Sequence, residues 1–307
     1  MKKILVTGGA GFIGSHIADK LISEGHEVII IDNLSTGNRE NVNKKSEFHE
    51  MDIRDPKTAD IFVNRDIDAV YHLAAQLDVR KSVEDPIYDA DVNILGGLKL
   101  LQNCVKNGVK RFIFASSGGV MYGECPETAP TEEKSPFPLC PYGDSKLALE
   151  YYLNFYRKNY GLECVALRFG NVYGPRQDPH GEAGVVAIFS GAMLKDTNVK
   201  IFGDGEQLRD YVYVGDVVTA NVAALEKGSG IYNIGTGVSN SVNELFNILK
   251  EMTEYKKEPE YCPIRGEELI ISRLDVSRAS RELGWSAELD FKQGLKHTVD
   301  WFWNKLA

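Results

Sequence analysis

Lys3-Ile4-Leu5-Val6-Thr7-Gly8-Gly9-Ala10-Gly11-Phe12-Ile13-Gly14 is the stretch that decides the fold, because it joins an apolar strand to a helix through a glycine turn. Gly8, Gly11 and Gly14 stand where a backbone must come close to a pyrophosphate. The amino end of the following helix offers unpaired N–H groups and a positive dipole to the same group. We therefore predict a dinucleotide site here. A tight strand-to-helix turn that binds nothing is the alternative.

Beyond this turn, short β-branched runs alternate with longer helical patterns. The predicted strands are residues 3–6, 27–31, 69–73, 111–115 and 163–168, and the predicted helices are residues 13–24, 86–105, 142–159, 242–253 and 291–304. This alternation predicts an α/β fold, a Rossmann-type doubly wound parallel sheet with a smaller α/β substrate-binding C-terminal region. The predicted domains are residues 1–168, with a returning segment at about 211–236, for the dinucleotide, and residues 169–210 and 237–307 for the substrate.

The composition excludes several classes of protein. A net charge of -9 over 307 residues argues against a nucleic-acid or anionic membrane partner, because a polyanion would be repelled. The five cysteines contain no Cys-x-x-Cys pair, which favours free thiols in a reducing, cytoplasmic compartment and predicts no metal site. No apolar run reaches the ~20 residues of a membrane span, and the run before Thr7 is too short for a signal peptide.

Asp32 ends the second predicted strand and lies 18 positions beyond Gly14. An acidic side chain at this place accepts hydrogen bonds from an adenosine ribose and repels a 2′-phosphate, so NAD is favoured over NADP. Turn formation is the alternative role for an Asp at a strand end. Asp52-Ile53 and Ala74-Ala75 follow further apolar strands, at positions where an open α/β sheet contacts its ligand. The alternative is that each pair only ends its strand and has no ligand.

Tyr142 and Lys146 are four residues apart, so on a helix both side chains point to one face. A phenol has a pKa of about 10, and a buried ammonium group together with a positive nicotinamide ring would favour the phenolate that a proton transfer needs. Ser117 follows the strand at residues 111–115 and could hydrogen-bond a substrate hydroxyl. The alternative is a surface helix with an ordinary Tyr and Lys.

Three longer motifs carry a resemblance to a known family. Thr-Gly-x-x-Gly-x-x-Gly, a strand-end Ser and Tyr-x-x-x-Lys, in this order, resemble the extended short-chain dehydrogenase/reductase family. The stretches at residues 116–123, 168–176 and 209–216 are similar to its UDP-glucose 4-epimerase group, and the similarity spans almost the whole chain. Counting from the strand, Ser117 rather than Ser116 matches the serine of the family.

The resemblance implies an NAD-dependent C4 epimerisation of a UDP-hexose through a transient 4-keto sugar. Tyr142 would act as the base, Ser117 would assist at the oxygen, and Lys146 would tune Tyr142 while holding the nicotinamide ribose. The implied NAD contacts, beside the glycine turn, are Phe12, Ile13, Asp32, Asn33, Asp52, Ile53, Leu73, Ala74, Ala75, Gln76, Asn93, Tyr142, Lys146 and Phe169. The implied UDP-sugar site comprises Ser117, Tyr142, Asn171, Val185, Lys200, Ile201, Phe202, Arg209, Arg265, Glu268 and Ser272.

Ser272 falls where the family is thought to gate the sugar's 2-substituent, and a small side chain would leave room for an N-acetyl group. The resemblance therefore implies activity on UDP-GlcNAc and UDP-GalNAc as well as on the plain hexoses. A solvent-facing strand residue is the alternative for Ser272.

Two other functions stay open at the level of sequence. A sugar-nucleotide 4,6-dehydratase or decarboxylase would carry acidic residues directly after the catalytic hydroxyl, where this chain has Gly118 and Gly119. A non-catalytic NAD-binding regulator would not need Ser117, Tyr142 and Lys146 together.

The predicted helices at residues 86–105 and 142–159 are apolar on more than one face, with Tyr151, Tyr152, Phe155 and Tyr156 crowding the second. Excess apolar surface indicates a partner, and the resemblance implies a homodimer through these two helices. Burial of both helices against the sheet and its neighbours is the alternative.

Overall fold

A parallel sheet with helices on both faces organises the chain in the computed structural model, which describes residues 1–180, 184–264 and 269–306. The strands are β1 (Lys3–Thr7), β2 (Glu27–Asp32), β3 (Glu47–Glu50), β4 (Ala69–His72), β5 (Arg111–Ser117), β6 (Glu163–Phe169), β7 (Asn171–Tyr173), β8 (Lys200–Phe202), β9 (Leu208–Arg209), β10 (Tyr211–Tyr213), β11 (Gly230–Ile234), β12 (Asn240–Ser241), β13 (Glu260–Cys262) and β14 (Ile271–Ser272). The α-helices are α1 (Phe12–Ser23), α2 (Val79–Glu84), α3 (Pro86–Ala90), α4 (Gly97–Lys106), α5 (Pro141–Tyr160), α6 (Val185–Leu194), α7 (Val214–Glu226), α8 (Val242–Met252), α9 (Ser277–Leu283) and α10 (Phe291–Leu306).

The large sheet has the strand order β3-β2-β1-β4-β5-β6-β11, and every neighbouring pair is parallel. This topology confirms the predicted Rossmann-type fold. The order reverses between β1 and β4, so the carboxyl ends of these two strands flank the crevice where open α/β sheets bind their ligands. The predicted helix at residues 86–105 forms as α3, a π-helical stretch (Asp91–Gly96) and α4 in succession.

The two faces of the sheet bury two apolar clusters, because side chains alternate along each strand. Ile4, Val6 and Ile113 face α1 and α7 on one side. Leu5 and Phe112 face α4 and α5 on the other side. Each central strand is therefore buried on both faces, as expected for a parallel sheet.

The edge strand β3 was not predicted. Its four residues, Glu-Phe-His-Glu, are half-buried or exposed. This segment has no apolar run, and such a run is the pattern from which a buried strand can be predicted. The segment is a strand here because it pairs in parallel with β2. The expectation that Asp52 follows an apolar strand is therefore wrong, although Asp52 does lie just beyond a strand of the sheet.

Shorter sheets and a third apolar cluster form the remainder of the molecule. β7 pairs with β10, β9 lies between β12 and β14, and β8 pairs with β13. Residues 171–173 form β7, which follows β6 after a single residue. Of the predicted returning segment, β10 joins β7 while β11 enters the large sheet beside β6. The domain boundaries themselves stay a prediction. Within the described ranges, no helix combines the length and apolar character needed to cross a bilayer.

Candidate active site

The glycine turn between β1 and α1 is closely packed. Gly8 has φ of +74°, and a Cβ there would lie 2.6 Å from the backbone nitrogen of Ala74. A Cβ at Gly14 would lie 2.1 Å from the carbonyl oxygen of Gly8. Gly11 is the N-cap of α1 and provides no capping side chain, so the first N–H groups of the helix are left for another acceptor. These residues fit a dinucleotide pyrophosphate.

Asp32 lies beside this turn at the end of β2. Its Oδ2 accepts a hydrogen bond from the Ala10 N–H at 2.9 Å, and its Oδ1 accepts one from the Leu34 N–H at 2.8 Å. A Cβ at Gly37 would come within 2.8 Å of the same carboxylate. Asp32 therefore organises the loop around the crevice, and its remaining lone pairs suit the ribose hydroxyls of NAD.

Asn33 and Asp52 connect the ends of β2 and β3. Asn33 Nδ2 donates to Asp52 Oδ2 at 3.0 Å, and Arg54 binds both oxygens of the same carboxylate. The hydrogen bonds from Arg54 lower the pKa of Asp52 to about 2. Arg54 also pairs with Asp91 at 2.8 Å. The adenosine side of the crevice is thus held by an ion-pair network.

The end of β4 lies against the glycine turn. The N–H groups of Leu73 and Ala74 both donate to the Thr7 carbonyl at 3.1 Å. The Gln76 N–H donates to Asn93 Oδ1, and Asn93 Nδ2 donates to the Gln76 carbonyl, both at 2.9 Å. The other predicted cofactor contacts lie at or beyond the carboxyl ends of strands. Phe12 and Ile13 begin α1 after β1, Ile53 follows β3, Ala75 follows β4, and Phe169 is the last residue of β6.

Tyr142 and Lys146 lie in the first turns of α5, against the end of β5. Lys146 is 4% exposed, and its Nζ donates to the Ala115 carbonyl at 2.9 Å. The same nitrogen lies 4.8 Å from the centroid of the Phe114 ring and 5.5 Å from that of Tyr142. The Ser117 side chain lies close enough to the Tyr142 phenol to lower its pKa. Ser117, Tyr142 and Lys146 therefore meet at one point, and Lys146 is buried rather than part of an exposed helix face.

Ser116 belongs to a different, fully buried network. Its Oγ donates to Glu150 Oε1 at 2.6 Å, and Glu150 pairs with Arg168 at 2.5 Å. Arg168 Nη1 donates to Tyr122 Oη at 2.6 Å, and that hydroxyl donates to Asn233 Oδ1 at 2.7 Å. The hydroxyl of Ser116 is thereby engaged away from Tyr142. Sequence reasoning missed this network, because its members are far apart in the chain.

Burial lowers the pKa of Lys146 to about 8, and the carboxylates of Asp89 and Glu150 oppose that fall. Lys146 thus stays protonated at neutral pH by a small margin. Its charge depends on these two acidic neighbours.

The Tyr142 phenol has a pKa raised above its ordinary value. Burial is the main cause, Asp89 and Cys140 raise the pKa further, and the neighbouring Ser117 side chain lowers it by less. The expected fall in this pKa depends on the bound nicotinamide ring as well as on Lys146, so it stays a prediction for the protein with its cofactor. Lys146 alone does not overcome the burial of the phenol.

Asn171, Gly119 and Ser272 lie close to one another. A Cβ at Gly119 would lie 3.8 Å from Asn171 Oδ1 and 4.0 Å from Ser272 Oγ. Asn171 Oδ1 is buried without a hydrogen-bond partner in the described part of the chain. Ser272 is 8% exposed and pairs in register with Arg209, so it is not a solvent-facing residue.

The remaining predicted substrate residues are scattered over the smaller region. Lys200 is exposed on β8 and pairs with Glu260 at 3.8 Å. Ile201 is 1% exposed and packs within the third apolar cluster, so its side chain faces the core. Val185 begins α6, and Phe202 ends β8. Arg265 and Glu268 lie outside the described residues.

Sequence reasoning also missed Asp89, a residue of α3 that is 1% exposed. Its carboxylate accepts hydrogen bonds from the side chains of Gln76 and Asn93. The spacing of four residues between Asp89 and Asn93 places both on one helical face, and this signal could have identified it.

Comparison with known proteins agrees with this site. The sequence profile of the NAD dependent epimerase/dehydratase family matches residues 4–235. A putative UDP-glucose 4-epimerase of Methanocaldococcus jannaschii is 51% identical over 303 residues, which cover 98% of each chain. The Thermotoga maritima UDP-glucose 4-epimerase with UDP-glucose superposes with a TM-score of 0.98 at 52% identity, over 99% of this chain and 100% of that one.

A second solved structure, the Thermus thermophilus UDP-glucose 4-epimerase in complex with NAD, has a TM-score of 0.93 at 47% identity over 98% of each chain. These similarities extend over nearly the whole length of each protein, and the glycine turn and the Tyr142–Lys146 pair lie within the matched residues. The chain therefore belongs to the NAD dependent epimerase/dehydratase family.

Proposed function

We propose that this protein is an NAD-dependent epimerase that interconverts the C4 epimers of a UDP-hexose, with UDP-glucose and UDP-galactose as the first pair. The observation that carries the proposal is the meeting of Ser117, Tyr142 and Lys146 at the carboxyl end of β5, on the same sheet edge as the glycine turn. The UDP-glucose 4-epimerases among its relatives support this choice of reaction and substrate.

NAD fits the residues at the crevice. The turn at Gly8, Gly11 and Gly14 leaves no space for a side chain between the backbone of α1 and the end of β1, and it would hold the pyrophosphate. Asp32 would accept the hydroxyls of the adenosine ribose. The Thermus thermophilus relative is a complex with NAD, which supports NAD over NADP.

Each residue of the catalytic group has a distinct role in this proposal. Bound NAD supplies reversible hydride acceptance at the sugar C4. Tyr142 removes the proton of the 4-hydroxyl, and a transient 4-keto sugar forms. After this keto sugar has rotated to present its other face, Tyr142 returns the proton. Ser117 hydrogen-bonds the reacting oxygen, and Lys146 orients the nicotinamide ribose and stabilises the Tyr142 phenolate by its charge. Tyr142 would need a second cation beside Lys146 to lower its raised pKa, and a bound nicotinamide ring would supply that charge.

The dehydratase and decarboxylase alternative is disfavoured by packing next to Ser117. A Cβ at Gly118 would lie 2.6 Å from Leu274 Cδ1, and Leu274 is 1% exposed. An acidic side chain at position 118 would displace this core leucine. A Cβ at Gly119 would be in ordinary van der Waals contact with Asn171 and Ser272, and neither of these described neighbours is an acid that could move a second proton.

The small residues at positions 119 and 272 also support activity on the N-acetylated pair, UDP-GlcNAc and UDP-GalNAc. Ser272 is buried next to Gly119, and both residues are small. A side chain of larger volume at either position would fill the space that an acetamido group needs. Turnover of the plain pair without any turnover of the acetylated pair would contradict this part of the proposal.

The deciding experiment is the replacement of Tyr142 by Phe. The purified variant should lose nearly all turnover of UDP-glucose, on the order of 10²-fold to 10⁴-fold, because the proton-transfer group is gone. NAD binding, measured by calorimetry, should be retained. Tyr160→Phe, at the exposed end of α5, is the matched control and should keep full activity. Product mass distinguishes the alternatives, since an epimerase conserves mass while a dehydratase loses water. A fully active Tyr142→Phe variant would refute the mechanism.

We also propose a cytoplasmic homodimer. The free state of all five cysteines supports a reducing compartment. An apolar surface on α3, α5 and the helical stretch between α3 and α4 supports a second copy as the partner. Its exposed members are Ile87, Leu95, Tyr151, Tyr152 and Phe155. Tyr156 was expected in this set but is 7% exposed and packs in the core, so it is not part of the surface.

A further inference from the structure

Asp89 is a buried carboxylate beside the catalytic group to which the proposed mechanism gives no role. Its Oδ1 accepts hydrogen bonds from Gln76 Nε2 at 2.9 Å and from Asn93 Nδ2 at 3.0 Å. Its Oδ2 is buried and has no hydrogen-bond partner among the residues that the structure describes. An acceptor left unpaired in the interior destabilises the fold, so its presence requires a compensating role.

Consecutive hydrogen bonds connect Asp89 to the first turns of α5. Asn93 Nδ2, which donates to Asp89, also donates to Ser145 Oγ at 3.1 Å. Ser145 Oγ in turn donates to the Tyr142 carbonyl at 2.9 Å. Ser145 directly precedes Lys146 in the chain. The carboxylate of Asp89 therefore orients the amide that holds the backbone between the two residues of the catalytic pair.

The charge of Asp89 also reaches Lys146. The titratable groups that face Lys146 are Tyr142 and Glu150 from its own helix, His72 from β4, and Asp89 from α3. Glu150 is paired with Arg168, whose guanidinium offsets its charge. Burial lowers the pKa of His72 to about 3, so this ring is neutral at pH 7.

Asp89 takes part in no ion pair within residues 1–180, 184–264 and 269–306. Of the two carboxylates that face Lys146, Asp89 is the one whose charge no guanidinium offsets. Its charge raises the pKa of Lys146, whereas burial lowers it. Its charge therefore favours the ammonium form of Lys146.

We propose that Asp89 is a positioning residue for the catalytic pair: it fixes the amides of Gln76 and Asn93 and holds Lys146 as an ammonium ion next to Tyr142. Its effect on turnover rests on the proposed function. Its effect on Lys146 does not, because the charge of that side chain can be measured in the protein alone.

Asp89→Asn separates the two parts of this role. An asparagine keeps an oxygen in the place of Oδ1 for both amides, and it removes the negative charge. Asp144→Asn is the matched control, since Asp144 lies between Tyr142 and Lys146 on α5 but is exposed to solvent. A charge in contact with water acts weakly on a buried neighbour.

The first readout is an NMR titration of ¹³Cε-labelled lysine in the full-length protein, with the Lys146 signal assigned from a Lys146→Arg sample. Asp89→Asn should move the Lys146 midpoint to lower pH, and Asp144→Asn should leave it unchanged. Asp89→Glu restores the charge and should return the midpoint toward that of the wild type. If Asp89→Asn does not fold, Asp89→Ser makes the same change in charge with a smaller side chain.

The second readout is the pH dependence of kcat with UDP-glucose. In Asp89→Asn the alkaline limb should move to lower pH together with the Lys146 midpoint, while KM stays within about twofold of the wild type. A lower kcat with unchanged alkaline limb and unchanged Lys146 midpoint would overturn the proposal, because a merely structural residue gives that result. The Lys146 midpoint could move in Asp89→Asn while the wild-type protein itself has no epimerase activity. That result would support the action of Asp89 on Lys146 and refute the proposed function.

Discussion

At the scale of single residues, the two serines at the end of β5 make different contacts because side chains alternate across a strand. Ser116 turns toward α5 and donates to the buried carboxylate of Glu150. Ser117 is less buried and lies close enough to Tyr142 to lower the pKa of its phenol. The two hydroxyls are neighbours in sequence, yet one belongs to the interior and the other to the predicted active site.

We expect Ser117→Ala and Ser116→Ala to separate catalysis from stability. Ser117→Ala should lower kcat by roughly 10-fold to 100-fold, because a hydrogen bond to the reacting oxygen is lost, and it should change the free energy of unfolding little. Ser116→Ala should lower that free energy by about 1–2 kcal/mol, since it removes a hydrogen bond to a buried carboxylate. Steady-state kinetics and urea denaturation of both variants provide the comparison. The reverse pattern would assign the catalytic role to Ser116.

At the scale of elements, α5 is attached to the sheet at successive turns. Lys146 donates to the carbonyl of Ala115 on β5, and one turn later Glu150 pairs with Arg168 on β6. The side chains of Glu150 and Arg168 are each 2% exposed. The position of α5 thus depends on an ion pair in the core, where a charge without its partner is strongly destabilising.

Arg168→Met should therefore lower the free energy of unfolding by about 3–5 kcal/mol, because it leaves the Glu150 carboxylate buried without its guanidinium. The double variant with Glu150→Met should recover most of the loss, since both charges are then gone. Chemical denaturation followed by circular dichroism measures both. Equal losses in the single and double variants would show that the loss comes from packing rather than from an unpaired charge.

At the scale of the whole molecule, the site is assembled from segments spread over more than half of the chain. The sheet order brings the glycine turn of β1 next to the end of β4, and β5 next to β4. Helices α3 and α5 pack against each other on one side of the sheet and leave an apolar surface uncovered. A second copy would cover that surface.

The proposed dimer predicts that a charge on this surface dissociates it. Ile87→Asp and Phe155→Asp replace residues that are 81% and 48% exposed, so neither should unfold the monomer. Each should convert the dimer into a monomer in sedimentation velocity, because an unpaired carboxylate in an apolar interface is costly. Val63→Asp, at an exposed position on another part of the surface, should leave the dimer intact. A wild-type protein that sediments as a monomer would contradict the proposal.

Much of the fold could be predicted because the central strands are buried on both faces and the glycine turn has a demanding geometry. The strand β3 could not, since an exposed edge of Glu-Phe-His-Glu depends on its partner strand rather than on its own pattern. The catalytic candidates could be predicted from short spacings and from resemblance to a family. Asp89 and the Glu150–Arg168 pair could not be predicted as readily, because their significance arises from burial.

The sequence by itself determined the class of fold, the dinucleotide turn and the pairing of Tyr142 with Lys146, because each of these depends on residues close together in the chain. Only the tertiary structure showed that Ser116 is engaged by Glu150, and that burial raises the pKa of Tyr142 in the protein alone. These properties depend on how far water is excluded and on which charges lie near the site. Both are set by packing between segments that the sequence keeps apart.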